Sequence, residues 1–258
     1  MALATHAIIL AAGRGLRMGE MTATKPKCLT VLAGKPLLDW QLSALRSAGL
    51  QSVTVIGGYR SDLLASEDYY LIENPDWAAT NMVATLRCAA ALLRRTPCIV
   101  SYGDILYRPD RVETLARVDA EIAITYDTDW ATLWCARFSN PLSDAETFRQ
   151  ENGWLTDIGR RAQRISDIQG QYMGLLRFTP TGWAQVEDTL STLDGDAQRR
   201  VDVTHLLRIL LTRGARVRCV PGAGGWCEVD NTGDLYLYEK LLGQSDNGGE
   251  RWKHDWRW

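Results

Sequence analysis

The chain has 258 residues and carries 29 Lys and Arg against 31 Asp and Glu, so its formal net charge at pH 7 is −2. This balance gives no electrostatic reason to expect a nucleic acid or an anionic membrane as a partner. The six cysteines never form a Cys-x-x-Cys pair, which excludes the usual zinc spacings and is typical of reduced thiols in a cytoplasmic protein. No apolar run approaches the roughly 20 residues of a membrane-spanning helix, so we expect no membrane segment.

Apolar and amphipathic segments alternate along the chain. Short apolar runs predict strands at residues 7–10, 52–56, 70–72, 98–101, 121–126, 172–178, 216–220 and 227–229. Helical spacing of apolar residues predicts helices at residues 36–47, 81–93, 201–213 and 235–242. Such alternation is typical of an α/β, Rossmann-like fold, with a mostly parallel mixed sheet and helices on both faces.

Two segments interrupt this pattern. Residues 128–164 are rich in Trp, Asn and Asp, contain hairpin-like turns such as Asn152-Gly153, and are expected to form a small substrate-shaping insertion or lid. Residues 244–258 form a polar tail with three tryptophans, which is either disordered or docks on a neighbouring chain and so leaves a homodimer open. We therefore expect one domain over residues 1–243, followed by the tail.

The most informative stretch follows the first predicted strand and reads LAAGRGLRMGEMTATKPK from Leu10 to Lys27. Gly13 and Gly15 let backbone amides approach an anion without a Cβ in the way. Arg17 and Lys27 add positive charge where a polyphosphate would lie. The loop lacks the Gly-Lys-Ser/Thr of the Walker motif and the third glycine of the dinucleotide motif, which excludes those two nucleotide-binding patterns.

Two carboxylates follow later predicted strands. Asp104 comes shortly after the run at 98–101, and Asp230 directly after the run at 227–229. The carboxyl ends of parallel strands meet at one edge of an open sheet, where the glycine-containing loop also lies. Two carboxylates beside a triphosphate make an oxygen site suited to Mg²⁺. The alternative is that each acid is a solvated strand-end residue or a helix cap.

The ordered motif LAAGxGxRM, followed by Pro26 and Lys27, resembles the signature of the nucleotidyltransferase superfamily. That superfamily includes sugar-phosphate and molybdopterin nucleotidyltransferases and phosphocholine or phosphonate cytidylyltransferases. The resemblance implies a nucleotidyltransferase fold and an enzyme in which Lys27 contacts the α-phosphate and Arg17 the β- and γ-phosphates. It also implies that Asp104 and Asp230 hold Mg²⁺ as the cofactor.

Residues expected to bind the nucleotide lie in three places. They are Leu10, Ala11, Ala12, Gly13, Arg14 and Gly15 in the loop, Gly58 and Tyr59 after the second predicted strand, and Asn81 and Met82 at the start of a predicted helix. Sugar nucleotidyltransferases usually have Gly-Thr-Ala at the third place, whereas the sequence Asn-Met-Val found here is similar to the Asn-Ser-Ile of phosphocholine cytidylyltransferases. This difference favours cytosine, while Asn81 also fits an ordinary helix N-cap and Met82 a core position.

Three further segments, 130–148, 170–175 and 226–230, resemble cytidylyltransferases of phosphonate pathways and of capsular phosphoramidate modification. The residues expected to bind the acceptor are Trp134, Arg137, Tyr172, Trp226 and Glu228. The arginine would clamp a phosphonate or carboxylate group and the aromatic residues would wall the acceptor. Asp144 and Glu146 either bind an acceptor amine or order the insertion, and the aromatic side chains are also consistent with burial in the core.

These residues predict a Mg²⁺-dependent cytidylyltransferase that binds CTP and a small phosphonate or phosphate-ester acceptor. An acceptor oxygen would attack the α-phosphorus in line and expel pyrophosphate, so the protein needs to position two anions rather than supply a nucleophile. Two other functions remain open: a sugar-1-phosphate uridylyl- or thymidylyltransferase, and a non-catalytic nucleotide-binding regulatory protein.

Overall fold

The computed structural model of the protein describes residues 4–258, and the first three residues of the expected domain lie outside this range. The strands are β1 (His6–Ala11), β2 (Val31–Leu32), β3 (Lys35–Pro36), β4 (Ser52–Gly57), β5 (Tyr70–Glu73), β6 (Cys98–Tyr102), β7 (Ile105–Tyr107), β8 (Ile122–Asp127), β9 (Glu146–Glu151), β10 (Trp154–Arg161), β11 (Gln171–Phe178), β12 (Val217–Gly222) and β13 (Trp226–Glu228). The α-helices are α1 (Leu37–Ser47), α2 (Met82–Arg87), α3 (Ala90–Leu93), α4 (Pro109–Ala116), α5 (Trp130–Arg137), α6 (Pro180–Ser191), α7 (Gly195–Arg200), α8 (Val203–Thr212) and α9 (Thr232–Asp246). Within residues 4–258, every helix is too short or too polar to cross a lipid bilayer.

Nine strands form one sheet in the order β5-β4-β1-β6-β11-β8-β12-β10-β9. β1 pairs in parallel with β4 and β6, β4 with β5, and β8 with β12. β11 runs antiparallel between β6 and β8, and β10 runs antiparallel between β12 and β9. All strands of this sheet except β10 and β11 therefore run in one direction, which confirms the predicted mostly parallel mixed sheet.

Helices cover both faces of the sheet, and the first strand shows this most clearly. Successive side chains of a strand point to opposite faces. Ile9 packs in an apolar cluster with Leu42 of α1, whereas Ile8 packs in a second cluster with Leu86 of α2 and Leu207 of α8. The apolar run at residues 7–11 of β1 is thus explained by burial on both sides.

Residues 128–164, the expected insertion, join the main sheet, and their role as a lid stays a prediction. They contain α5 and the β9–β10 hairpin, which turns at Asn152 and Gly153 with φ angles of 53° and 79°, as the Asn-Gly pair predicts. β10 pairs with β12 and extends the nine-stranded sheet. The hairpin joins the sheet because Phe148 and Ile158 bury their side chains in one of its two apolar clusters.

The helix predicted at 81–93 is two short helices, α2 and α3, which are separated at Cys88 and Ala89. A second departure concerns β13, which belongs to a separate two-stranded sheet in which it runs antiparallel to β7. In that sheet Trp226 lies opposite Tyr107, and Glu228 lies opposite Ile105. This small sheet lies outside the main one and connects two segments that the sequence separates by more than a hundred residues.

The carboxyl-terminal tail packs against its own domain. α9 continues to Asp246, beyond the expected boundary at residue 243. The side chain of Trp256 is fully buried, and Trp252 stacks on Tyr238 with ring centroids 5.2 Å apart. The tail is therefore neither disordered nor dependent on a neighbouring chain to cover these two tryptophans, which corrects both expected alternatives. A homodimer stays a prediction, but the buried tryptophans no longer support it.

Candidate active site

A cavity of about 650 Å³ opens at the carboxyl ends of β1 and β6. The predicted residues that line it are Leu10, Ala11, Gly13, Arg14, Gly15, Arg17, Lys27, Asn81, Met82, Asp104 and Asp230. Its size lies within the range of small-molecule and cofactor sites. The structure thus brings the glycine-containing loop, the two cations and the two carboxylates to one space.

Gly15 shapes the loop around Lys27. It has a φ of 73°, in the left-handed region that favours glycine, and a Cβ at this position would lie 2.8 Å from Cδ of Lys27. Thr22 donates its hydroxyl to the carbonyl oxygen of Gly15 at 3.0 Å, and the backbone N–H of Met18 donates to the same oxygen at 2.9 Å. A residue with a side chain at position 15 would therefore displace the lysine.

Lys27 joins the two predicted metal ligands. Its Nζ lies 2.7 Å from Oδ2 of Asp104 and 3.5 Å from Oδ1 of Asp230. Burial by itself would lower the pKa of this ammonium group, but the charges of Asp104 and Asp230 outweigh burial and raise the pKa above its usual value. Lys27 is therefore protonated at neutral pH and holds positive charge where both carboxylates meet.

Asp230 is shared by three cations. Besides Lys27, Nη2 of Arg17 lies 2.6 Å from its Oδ1, and Nη2 of Arg137 lies 3.0 Å from its Oδ2. Burial would raise the pKa of this carboxyl group, but the charges of Lys27, Arg17 and Arg137 lower the pKa below its usual value. Asp230 is therefore ionised in the folded protein.

Arg137 does not reach the surface of a cavity, which corrects its predicted role as a clamp for the acceptor. Its side chain has no exposed surface at the end of α5. Nη1 lies 2.6 Å from Oε1 of Glu228, and Nε lies 2.9 Å from Oδ1 of Asp234. Because carboxylates enclose its guanidinium group, Arg137 positions Glu228 and Asp230 instead of binding the acceptor.

The first turn of α9 fixes the backbone of Asp230. Asn231 and Asp234 form a capping box, in which Oδ2 of Asp234 accepts the backbone N–H of Asn231 at 3.1 Å. The same carboxylate oxygen accepts the backbone N–H of Asp230 at 2.7 Å. Asp234 is not among the residues predicted for the site, although the Asn-x-x-Asp spacing is a recognisable helix start.

A second cavity of about 300 Å³ adjoins the first and shares Arg17, Met82, Tyr102 and Asp230 with it. Among the described residues, Arg17 is the only Lys or Arg in its lining, against the carboxylates of Asp144, Glu146, Asp202, Glu228 and Asp230. Burial raises the pKa of Asp144 and of Glu146. Burial, assisted by the charge of Asp230, also raises the pKa of Glu228, although Arg137 opposes this shift. The lining of the second cavity is therefore rich in carboxyl groups that a positive charge would help to ionise.

Trp134 and Tyr172 line the second cavity as predicted acceptor residues, whereas Trp226 does not. Trp226 is fully buried, stacks on Trp134 with ring centroids 6.0 Å apart, and donates its indole N–H to the carbonyl oxygen of Met173 at 2.9 Å. Trp226 is thus a core residue that supports Trp134 from behind, which corrects its predicted role.

Ala12, Gly58 and Tyr59 lie behind the wall of the first cavity rather than in its lining. The carbonyl oxygen of Ala12 accepts the backbone N–H of Tyr59 at 2.9 Å, and the Tyr59 ring packs edge-on against Trp77 at 5.3 Å. These residues support Trp77, which lines the cavity beside Ala78. Trp77 is not among the predicted residues, because a tryptophan between two elements carries no local pattern that identifies a ligand.

Asn81 serves as the N-cap of α2 and also lines the first cavity. Its Oδ1 accepts the backbone N–H of Met82 at 2.7 Å, and its Nδ2 donates to the carbonyl oxygen of Arg200 at 3.1 Å. The capping interpretation of this residue is therefore confirmed, and it does not exclude contact with a ligand. Met82 lines both cavities and is half-buried.

The donor chemistry of Asp104 and Asp230 fits a hard divalent cation. Both carboxylates contact one ammonium group, that of Lys27, so the folded chain already directs the pair toward a single positive charge. Within residues 4–258, no group of three or more His, Cys, Asp or Glu side chains could hold a metal ion. Mg²⁺ is commonly bound through one or two carboxylates plus phosphate and water oxygens. This pair would therefore suit Mg²⁺ only together with a polyphosphate.

We expect Arg137→Ala to lower the free energy of unfolding by about 3–5 kcal/mol, because the substitution leaves buried carboxylates without their cation. Urea unfolding followed by circular dichroism measures this loss. Arg94→Ala is the matched control, since Arg94 pairs with Glu187 while 62% of its side chain is exposed, and such pairs contribute little. An equal loss of stability in the two variants would contradict the role assigned to Arg137.

The chain matches the model of the MobA-like NTP transferase domain over residues 7–164. It is 35% identical over 246 residues to the CTP:phosphoglutamine cytidylyltransferase of Campylobacter jejuni, which covers 89% of this chain and 97% of that protein. It is 29% identical over 113 residues to the 2-aminoethylphosphonate cytidylyltransferase of Lancefieldella rimae, or 42% of this chain and 46% of that protein.

Among solved structures, the inositol-1-phosphate CTP transferase from T. maritima is similar in fold. It superposes with a TM-score of 0.73 at 18% sequence identity, covering 96% of this chain and 98% of that chain. The shared fold agrees with the sequence match, which spans more than half of the chain. This protein therefore belongs to the MobA-like NTP transferase family and is a nucleotidyltransferase.

Proposed function

We propose that this protein is a CTP-dependent cytidylyltransferase that transfers CMP to a small phosphate or phosphonate acceptor and releases pyrophosphate. The observation that carries the proposal is the junction of the two cavities. Arg17 and Asp230 belong to both linings there, and Lys27 contacts Asp104 and Asp230. The named activity of the Campylobacter jejuni relative, CTP:phosphoglutamine cytidylyltransferase, supports the same chemistry.

The reaction joins two anions, and the chain supplies the charge that brings them together. An oxygen of the acceptor forms a bond to the α-phosphorus of CTP while the bond to the bridging oxygen breaks and pyrophosphate leaves. A phosphonate or phosphate oxygen is already ionised at neutral pH, so no protein nucleophile or strong base is required. Lys27 and Arg17 stabilise the charge that develops on the phosphates and orient them. Held by Asp104 and Asp230, Mg²⁺ would add further positive charge at the phosphates.

The base is assigned to the wall that contains Trp77 and Asn81. Trp77 presents an aromatic surface suited to stacking and is braced by the ring of Tyr59. Asn81 uses one acceptor position and one N–H to cap α2 and to bind Arg200, which leaves one acceptor lone pair and one N–H of its amide for a base. A side chain that can both donate and accept suits cytosine, which presents an amino group beside a ring nitrogen.

The acidic second cavity favours an acceptor that carries a positive group at the end remote from its phosphorus atom. Glu146 is half-buried, which makes its ionisation costly, and an ammonium group near Glu146 and the exposed Asp144 would offset that cost. Trp134 and Tyr172 add aromatic surface that attracts a cation. The Lancefieldella rimae relative, which is named for 2-aminoethylphosphonate, supports an acceptor of this class.

We expect the purified protein with Mg²⁺ to release pyrophosphate faster from CTP than from UTP or dTTP when 2-aminoethylphosphonate, phosphocholine or inorganic phosphate is the acceptor. Lys27→Ala should lower kcat/KM for CTP at least about a hundredfold, because one preorganised charge at a reacting group is lost. Lys25→Ala is the control, since Lys25 lies two residues away and outside the cavity lining.

Three outcomes of this assay would contradict the proposal. Faster release from UTP or dTTP would favour a sugar-1-phosphate enzyme. CTP binding without pyrophosphate release for any of these acceptors would favour a regulatory nucleotide-binding protein. Unchanged turnover in Lys27→Ala would remove the role assigned to that residue.

We expect Asp104→Asn to raise the Mg²⁺ concentration for half-maximal activity by about tenfold or more, because one charged oxygen ligand becomes a neutral amide. The melting temperature should change little, since 30% of the Asp104 side chain is exposed. Magnesium titrations of pyrophosphate release, paired with thermal unfolding, measure both quantities. A normal magnesium titration in this variant would argue against Asp104 as a ligand.

We expect the unaltered protein to prefer 2-aminoethylphosphonate over ethylphosphonate in kcat/KM. The double variant Asp144→Asn, Glu146→Gln should reduce that preference by about tenfold or more, because each charge-assisted contact with an ammonium group is worth roughly 1.5–3 kcal/mol. Turnover of ethylphosphonate should be preserved. Asp196→Asn, at a side chain that is 84% exposed on α7, serves as the control. If the double variant retains the full preference, the ammonium site is misassigned.

A further inference from the structure

The small sheet of β7 and β13 sets the distance between the two predicted metal ligands. Asp104 directly precedes β7, and Asp230 follows β13 by one residue. The two strands pair antiparallel, and the backbone N–H of Val229 donates to the carbonyl oxygen of Asp104 at 2.9 Å. Any shift of β13 along or away from β7 would therefore move one carboxylate relative to the other.

The tail borders the start of β13 and holds it. The backbone N–H of Gly225 donates to the carbonyl oxygen of Lys253 at 2.7 Å. One residue further along, the carbonyl oxygen of Trp226 accepts a hydrogen bond at 3.0 Å from Nδ1 of His254. Because a carbonyl oxygen only accepts, Nδ1 must carry the proton. The backbone of Lys253 and the side chain of His254 thus bind two consecutive residues, Gly225 and Trp226, at the start of β13.

The chain before β13 is shaped to receive the tail. Gly224 and Gly225 are consecutive left-handed residues, with φ angles of 60° and 63°. A Cβ on Gly224 would lie 2.4 Å from the carbonyl oxygen of Lys253, so the tail could not approach a residue with a side chain. On the other side of this turn, the backbone N–H of Arg108 donates to the carbonyl oxygen of Gly225 at 3.1 Å.

Further contacts tie the tail to the end of β7 and to β8. Nε of Arg108, the residue after β7, donates to the carbonyl oxygen of Asp255 at 2.9 Å. Asp127, at the end of β8, accepts the backbone N–H of Gly224 on Oδ1 at 2.9 Å and lies 3.6 Å from Nδ1 of His254 through Oδ2. His254 and Asp127 are both fully buried. A buried polar cluster of this kind costs free energy unless its geometry is satisfied.

No residue of this cluster lines either cavity, so its polar groups do not act on a substrate directly. We propose that residues 253–255 are a positioning segment for the predicted Mg²⁺ ligands and that His254, through Trp226, is its positioning residue. This inference rests on the proposed function, since it assumes that Asp104 and Asp230 share the cation. In this view the tail keeps β13 in register with β7 and so keeps the two carboxylates together.

Two near-isosteric substitutions separate this role from simple packing. His254→Asn places an amide N–H at the position of Nδ1 and can still donate to Trp226. His254→Gln places its amide one atom further out, near Nε2, and loses that bond. Arg257→Ala is the control, because Arg257 binds Asp246 and Asp255 at the outer side of the tail and does not touch β13.

Isothermal titration calorimetry of CTP with and without Mg²⁺, without acceptor, measures the gain in CTP affinity that the metal provides. We expect His254→Gln to reduce that gain by about tenfold, the order of effect seen for groups that orient metal ligands. His254→Asn should retain the gain in CTP affinity. Arg257→Ala should also retain the gain, even if its urea unfolding midpoint is lowered as much as that of His254→Gln. CTP binding without Mg²⁺ should be the same in all of them.

The positioning role is wrong if the gain in CTP affinity for His254→Gln equals that of the unaltered protein. It is also wrong if, across the three variants, the gain decreases in proportion to the loss of stability. If the unaltered protein shows no gain in CTP affinity with Mg²⁺, the proposed function fails first and this inference falls with it. The first result leaves CTP-dependent turnover intact, so the two failures are distinguishable.

Discussion

The sharing of Asp230 among Lys27, Arg17 and Arg137 is the interaction on which both cavities depend. A buried carboxylate without a partner is costly and favours protonation, and the buried guanidinium of Arg137 is costly without carboxylates. The charges of Lys27, Arg17 and Arg137 keep Asp230 ionised because all three lie close to its carboxylate. The surrounding elements hold these four side chains close together.

Each partner of Asp230 comes from a different part of the chain. Lys27 packs against the loop at Gly15, and Arg137 lies in the last turn of α5. The backbone of Asp230 is fixed on one side by the capping carboxylate of Asp234 and on the other by the β7–β13 pair. The main sheet therefore supplies the glycine-containing loop, whereas the small sheet and the first turn of α9 supply the carboxylate that the loop cations meet.

The two cavities differ in charge, and this difference would orient both proposed substrates. Arg14, Arg17 and Lys27 make the first cavity attractive to a polyphosphate. The second cavity is dominated by carboxylates and meets the first at Arg17 and Asp230. An acceptor with an anionic head and a cationic tail would lie with its head at Arg17 and its tail among the acids. Electrostatics alone would then direct the attacking oxygen toward the nucleotide and keep the positive end away from it.

Features that depend on neighbouring residues in the chain could be predicted from the amino-acid order. Every residue from Ala7 to Leu10 is apolar, so β1 had to be buried on both faces, and the loop after it carries its glycines and cations within one short stretch. The alternation of strands and helices sufficed for the α/β fold, and the loop order placed Lys27 at the end of β1. The meeting of Lys27 with both Asp104 and Asp230 also required the β7–β13 pair, which lies outside the main sheet. The burial of Arg137 and Trp226 away from the acceptor could be seen only in the tertiary structure. In a sequence, an arginine that binds a ligand looks the same as one that binds buried acids. The tertiary structure also decided that Trp77 lines a cavity and that the tail binds β13, since both depend on contacts between residues far apart in the chain, which no local pattern encodes.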